Sequence, residues 1–365
     1  MAVNHQPASP AAVRPPAHGS GQGPGARLLP LLQQICSSGI AAVDLEPLKK
    51  GYVADVYRMQ PRLGNGAAPP APLVLKVVHP GPEDDPEGRD REANFYAAVH
   101  PRLGFRRPEV FFTGCDPETR ERLVIMEELL GYRNPLRRHR WTPAEARCFV
   151  RAYARLHAVP VEAAHVDEPW LFRIRSGEFS NGETLEWAGD LVRRGVWAPL
   201  PGLEALIGWV GEVREELKAL PASYMHGDVF PPNISLPDDL SEEAVLIDWD
   251  MAGVGTGELD LAFMFLQPFD SAADLDREQV LADYWRARAA LGDAQPTPEE
   301  RRVRQRYADA LWGLYLVRVA HRSVFDPFLA NSPAYSYWES MRGVLHRWLK
   351  RVSNSASLRV SESVK

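Results

Sequence analysis

The chain has 365 residues, 45% of them hydrophobic and 25% charged, with a net charge of −6. That length can bury the cores of two packed lobes, and the mildly acidic balance gives no support for a protein that holds nucleic acid on a basic face. Three widely spaced cysteines, Cys36, Cys115 and Cys148, exclude a disulfide framework, and ten histidines without HExxH spacing exclude a catalytic zinc of that kind; a reducing cytoplasm is the expected home.

In chain order, residues 1–28 are rich in Ala, Pro and Gly, lack the apolar core of a signal peptide, and read as a disordered tail. Val53–Met59 and Leu73–Val78 read as strands, the second interrupted by Lys76, and a lone glycine, Gly51, marks a turn just before the first. Arg89–Val99 has helical periodicity and presents Glu92; Arg122–Leu129 reads as a strand running into a connection through Met126, Glu127 and Glu128. The cluster Arg137-Arg-His-Arg140 reads as a solvated loop, the alternative being contact with an anionic or nucleoside-like substrate. Thr142-Pro-Ala-Glu145 joins a capping hydroxyl, a proline at the first helical position and a glutamate three residues on, and the pattern recurs at Thr297-Pro-Glu-Glu300. The first helix carries a core stripe of Ala146, Phe149, Val150, Tyr153 and Leu156 and ends near Pro160; the second carries Val303, Tyr307, Ala310, Leu311 and Leu314. The arginines of Arg301–Arg306 avoid that stripe and predict a solvated face. No apolar run approaches the ~20 residues that cross a bilayer, so no membrane partner is expected. The expected organisation is an N-terminal lobe over 29–128, a helical lobe over 129–351 and a flexible tail over 352–365.

The chemistry concentrates in Tyr224-Met-His-Gly-Asp-Val-Phe-Pro-Pro-Asn233 and Val245-Leu-Ile-Asp-Trp-Asp250. Asp228 and Asn233 stand five apart in a proline-containing loop, and Asp248 ends an apolar run twenty residues beyond Asp228. Transfer of a γ-phosphoryl group asks mainly for positioning and for neutralisation of the triphosphate by Mg²⁺ on hard oxygen ligands. The Asn233 amide and the Asp248 carboxylate supply such oxygens. A second carboxylate, Asp228, can orient an attacking hydroxyl and take its proton. His226 supports the loop backbone, and Asp250 either meets a second metal ion or organises the site.

His226-Gly-Asp-x-x-x-x-Asn233 with Ile247-Asp-Trp-Asp250 resembles the aminoglycoside phosphotransferase and choline kinase-like family, distant relatives of the protein kinases, whose own signatures are H-R-D-L-x-x-x-N and D-F-G. The departures, Gly227 for Arg and Trp249-Asp250 for Phe-Gly, point toward small-molecule kinases. The resemblance implies an α+β, bilobal, protein-kinase-like fold with a small β-rich N-lobe and a larger, mostly helical C-lobe. It further implies that Lys76 meets the α- and β-phosphates of ATP or GTP and pairs with Glu92, that backbone near Gly51 covers the phosphates, and that main-chain groups of Met126, Glu127 and Glu128 read the purine. Asp260 would anchor the catalytic loop, and His157 belongs to a Leu-His pair frequent in the family. The implied partner is a small-molecule hydroxyl acceptor, an antibiotic before a metabolite such as choline, ethanolamine or homoserine; a non-catalytic nucleotide-binding module is the alternative of another class. Asp270, Asp274, Asp276 and Asp283 could form an acidic pocket for a polycation, and Trp285, Trp312, Tyr315, Tyr335, Tyr337 and Trp338 could stack on a ring or cage an amine.

Overall fold

The computed structural model describes residues 29–30, 33, 40–49, 54–64, 71–79, 90–116, 119–136, 138–166, 168–171, 183–197, 199, 202–217, 222–266, 271–293, 295–325 and 348. Gly51, Arg137, Asp270, Tyr335, Tyr337, Trp338 and the tails 1–28 and 352–365 lie outside the described residues. The fold is mixed α and β, and the chain divides into two compact units. One is drawn from Met1–Arg89, Tyr96–Val99 and Pro108–Leu130, the other from Asp90–Phe95, His100–Arg107 and Gly131–Lys365.

The first unit is an antiparallel sheet in the order β1-β2-β3-β5-β4, formed by β1 (Ile40–Lys49), β2 (Ala54–Leu63), β3 (Leu73–Val78), β4 (Val110–Cys115) and β5 (Arg122–Glu127). The strand read at Leu73–Val78 has those bounds; the one read from Val53 runs four residues further, to Leu63. Side chains alternate faces along a strand, so Leu73, Leu75 and Val77 join Ile40, Met59, Phe112 and Ile125 in the core. Lys76 lies on the other face of the same central strand, in register with Val56 and Val124, and is 7% exposed. A lysine on a solvated sheet face would not be so enclosed; a buried ammonium is tolerated only with polar or charged company.

The second unit begins with Asp90–Phe95, the first part of α1 (Arg91–Ala98). It continues with β6 (Tyr132–Arg133), α2 (Pro143–Ala158), α3 (Glu183–Arg193), α4 (Leu203–Leu217) and the short strands β7 (Ser223–Met225), β8 (Ile234–Pro237), β9 (Val245–Leu246) and β10 (Gly253–Gly255). It closes with α5 (Glu258–Phe265), α6 (Arg277–Ala290) and α7 (Pro298–Phe325). Both expected helix starts form reciprocal caps. Thr142 Oγ1 accepts from Glu145 N–H at 3.3 Å while the Glu145 carboxylate accepts from Thr142 N–H at 2.8 Å. The Thr297 and Glu300 pair repeats this at 3.2 and 2.6 Å. The α2 stripe from Ala146 to Leu156 is at most 1% exposed.

The arginine run of α7 departs from its expected solvated face. Arg302 is exposed, but Arg301 lies over the Trp285 ring at 5.1 Å, Arg304 reaches Glu258 at 3.8 Å, and Arg306 sits 4.4 Å above Trp209, where burial lowers its pKa. The reason is that α7 packs on α3, α4 and α5 together. More than one stripe is therefore covered, and long arginine stems lie along apolar surface with guanidinium groups on indole faces.

Candidate active site

Two strand pairings assemble the site within the second unit. β7 pairs with β10, Met225 opposite Gly253, and β8 pairs with β9, Ile234 opposite Leu246. The loop 226–233 that links β7 to β8 therefore lies beside the loop 247–252 that links β9 to β10, and Ile247 N–H donates to the Asn233 carbonyl at 3.0 Å.

The first loop is held from beneath. His226 is fully buried; its Nε2 lies 2.9 Å from the Ile247 carbonyl and its Nδ1 accepts from Asp228 N–H at 3.3 Å. A ring that donates from Nε2 and accepts at Nδ1 is neutral, in keeping with burial, which lowers its pKa. Asp260, 2% exposed, accepts from His226 N–H at 2.7 Å and from Gly227 N–H at 2.8 Å, and its Oδ2 also lies 3.1 Å from His157 Nε2. Gly227 has φ +76°, and a Cβ there would stand 2.1 Å from the Met251 carbonyl oxygen. The arginine of a protein-kinase loop has no room here. Beyond it, Asn233 Nδ2 donates to Asp228 Oδ2 at 2.7 Å and to the Asp228 carbonyl at 3.2 Å. With its nitrogen committed to Asp228, the Asn233 side chain keeps its oxygen as an acceptor.

The second loop carries the one residue besides Arg120 that is not glycine yet has positive φ among the described residues: Asp248, at 67°. Short polar side chains visit this region most readily, and such conformations gather at functional sites. Trp249 is fully buried, stacked on Phe95 of α1 at 4.1 Å and 15°, with His226 at 4.5 Å on another side. Arg91 donates to the Asp250 carbonyl at 2.8 Å and to the Trp170 carbonyl at 2.7 Å. These contacts carry Asp90–Phe95 into the second unit and set carboxylate oxygens of Glu92, Asp248 and Asp250 within 4.8 Å of one another. The resemblance offers Lys76 as partner to Glu92; no sequence signal announces its nearness to the two aspartates, since Glu92 and Asp248 are more than 150 residues apart. Three carboxylates are hard donors suited to a cation such as Mg²⁺.

In the first unit, Glu127 N–H donates to the Glu109 carbonyl at 2.8 Å, the Glu128 carbonyl accepts from Leu130 N–H at 2.9 Å, and the Glu128 carboxylate takes both Nε and Nη2 of Arg58 at 2.7–3.0 Å.

A model of the phosphotransferase enzyme family matches residues 44–323. The chain belongs to the phosphotransferase enzyme family. No curated protein matches it by sequence. Solved structures similar to this phosphotransferase include a candidate aminoglycoside phosphotransferase of Ralstonia eutropha JMP134, at 14% identity over 89% of this chain and 97% of that one with a TM-score of 0.55. Spectinomycin phosphotransferase APH(9)-Ia in complex with ADP and spectinomycin matches at 11% identity over 90% and 98% with a TM-score of 0.54. APH(2")-IIa in a ternary complex with streptomycin and ATP matches at 13% over 89% and 96% with 0.52. These likenesses establish the kinase-like fold. They leave the acceptor to this chain's own residues.

Beside the loop 226–233, aromatic side chains pack on one another. Phe230, two positions after Asp228, packs edge-on to Phe263 at 6.0 Å, Phe263 meets Trp312 at 4.6 Å, and Trp312 stacks on Tyr315 at 4.9 Å and 12°. Of the acids considered for a polycation pocket, the three among the described residues are spent locally. Asp274 pairs with Arg140 at 3.1 Å, Asp276 caps α6 by accepting from Gln279 N–H, and Asp283 accepts from Gln279 and Arg286. Trp285 is likewise packing, covered by Tyr284 and Arg301.

Proposed function

We propose that this enzyme is a Mg²⁺-dependent small-molecule O-phosphotransferase that moves the γ-phosphate of ATP or GTP to a hydroxyl of an antibiotic-class natural product. One observation carries the reading: the Asp228 carboxylate is held by the Asn233 amide on one loop, and that loop is sewn to the neighbouring loop that presents Asp248. Asp228 orients the acceptor hydroxyl and takes its proton as the new bond forms. Asn233 and Asp248 would hold the metal, with Asp250 and Glu92 close enough to Asp248 to add oxygens or order its waters. When bound, Mg²⁺ supplies neutralisation of the charge on the transferring phosphoryl group. Lys76, buried on β3, serves the donor phosphates. The purine edge would be read by main-chain groups of Met126–Glu128 other than the Glu127 N–H, which is already committed to Glu109. Gly51 keeps its proposed place over the phosphates.

The local commitment of Asp274, Asp276 and Asp283 disfavours a bare polycation as the acceptor. Cytoplasmic ATP, GTP and Mg²⁺ fit this chemistry, and no helix among the described residues is long and apolar enough to cross a membrane.

The test is mass spectrometry of the purified protein with Mg²⁺ and ATP or GTP against antibiotics, nucleosides and amino alcohols, with Asp228→Ala beside it. A product gaining one phosphoryl group in the wild type, and falling by roughly 10²–10⁴-fold in the variant at similar nucleotide affinity, is the expected result. Tight nucleotide binding without product across the panel would favour a binding module instead.

A further inference from the structure

The hydrogen-bond chain beneath the catalytic loop continues past Asp260. His157, fully buried on α2, places Nε2 3.1 Å from Asp260 Oδ2 and Nδ1 2.8 Å from the hydroxyl of Tyr284 on α6. Tyr284, 0% exposed, in turn accepts from Arg288 Nη1 at 2.9 Å, and Arg288 Nε donates to Asp293, a residue just past the end of α6 whose side chain is 28% exposed. Gly257 closes the remaining side of the imidazole, where a Cβ would fall 2.5 Å from His157 Nδ1.

Donor and acceptor counting fixes the direction of this chain. Asp260 accepts only, so His157 donates from Nε2. Arg288 donates only, so the Tyr284 oxygen receives it and the Tyr284 proton points on to His157 Nδ1. The Tyr284 hydroxyl proton and the His157 Nε2 proton are then both used. With the imidazole reversed or doubly protonated, the Tyr284 oxygen would face two donors and its own proton would have no acceptor in a sealed interior. The order is therefore Asp293, Arg288, Tyr284, His157, Asp260, and finally the amides of His226 and Gly227, which immediately precede Asp228.

We propose that Tyr284 is a positioning residue for the catalytic loop. Its hydroxyl, held by Arg288, keeps His157 in the Nε2–H form and squarely against Asp260, so that Asp260 grips both loop amides. Resting on the phosphotransferase reading for its consequence, the proposal predicts that α6, which supplies none of the residues assigned to the reaction, sets the precision of Asp228.

The test uses the full chain labelled with nitrogen-15 histidine and glycine, wild type beside Tyr284→Phe, in nuclear magnetic resonance. The variant should move His157 Nδ1 to the position of an unbonded nitrogen and shift the His226 and Gly227 amide signals with it. Phosphate release from Mg·ATP or Mg·GTP should fall roughly 2- to 30-fold at unchanged nucleotide Kd, the span usual for a network residue. In a His157→Gln background, adding Tyr284→Phe should lower kcat no further; an additive loss would mean a packing role and would overturn the proposal. Unmoved His226 and Gly227 amides would overturn it as well. Should Tyr284→Phe fail to fold, Asp293→Asn acts from the partly exposed end of the chain and must shift the His226 and Gly227 amides; unmoved amides there would overturn the proposal. Amide shifts with no phosphate release from either protein would support the link to the loop and count against the phosphotransferase reading instead.

Discussion

Gly227→Ala isolates the geometric demand of the catalytic loop. Two costs follow from the structure. At φ +76° an alanine meets the left-handed penalty, about 1–2 kcal/mol. Its methyl would also stand 2.1 Å from the Met251 carbonyl oxygen, against 3.4 Å for ordinary contact, so the two loops must part by the difference. Overpacking of that kind adds about 1–3 kcal/mol. Gly131→Ala separates the terms, because Gly131 has φ +78° with nothing within 4 Å of where a methyl would stand, and so bears only the first. In urea unfolding, Gly227→Ala should lose about 2–5 kcal/mol and Gly131→Ala about 1–2. The displacement falls between Asp228 on one side and Asp250 on the other, and a shift of ~1 Å in such a site costs on the order of 10²-fold in turnover. Equal destabilisation by the two substitutions, with turnover kept within threefold in Gly227→Ala, would refute the reasoning.

Asp260→Asn exchanges a carboxylate that accepts from His226, Gly227 and His157 for an amide whose NH₂ faces donors; a loss of about 3–5 kcal/mol is expected in chemical denaturation, and a loss below ~1 kcal/mol would contradict the hub. Acid should weaken the fold from pH 6.5 downward, because burial and the neighbouring Arg107 hold the His100 pKa down at about 3. Between those two values the unfolded chain binds a proton that the folded one refuses, so stability falls as pH falls, by about 1.4 kcal/mol per unit. His100→Asn should flatten the decline measured between pH 6.5 and 5, and an unchanged slope would show that His100 does not titrate this way. Glu145 acts only at lower pH. Burial pushes its pKa up, but hydrogen bonds from Arg133, Thr142 and His139 prevail and bring it to about 2, so its contribution is present above its usual carboxylate value and disappears as pH falls toward 2.

The parts of the molecule that were legible in the sequence are those governed by local rules. β3 could be delimited because both its ends switch abruptly to polar or turn-forming residues, and α2 and α7 because a Thr-Pro-x-Glu start states its own hydrogen bonds. The pairing of Asp228 with Asn233 was legible because the two stand on one short segment. What escaped was set by packing across distance. The Arg301–Arg306 run looks solvated on a single helical wheel, and only three helices lying on α7 turn it into indole and carboxylate contacts. The aspartates of 274–283 look like a pocket by count, yet each belongs to a cap or an adjacent arginine. Asp248 shows the limit most sharply. Its type and place after an apolar run were readable, but its left-handed backbone was not, since nothing in Ile247-Asp-Trp-Asp250 alone requires it. The conformation follows from three anchors that arrive from elsewhere: Asn233 taking the Ile247 amide, Phe95 receiving the Trp249 ring, and Arg91 holding the Asp250 carbonyl. With both neighbours of Asp248 fixed, the residue between them must turn its carboxylate toward Glu92 and Asp250, and an aspartate is among the few side chains that accept that turn at small cost.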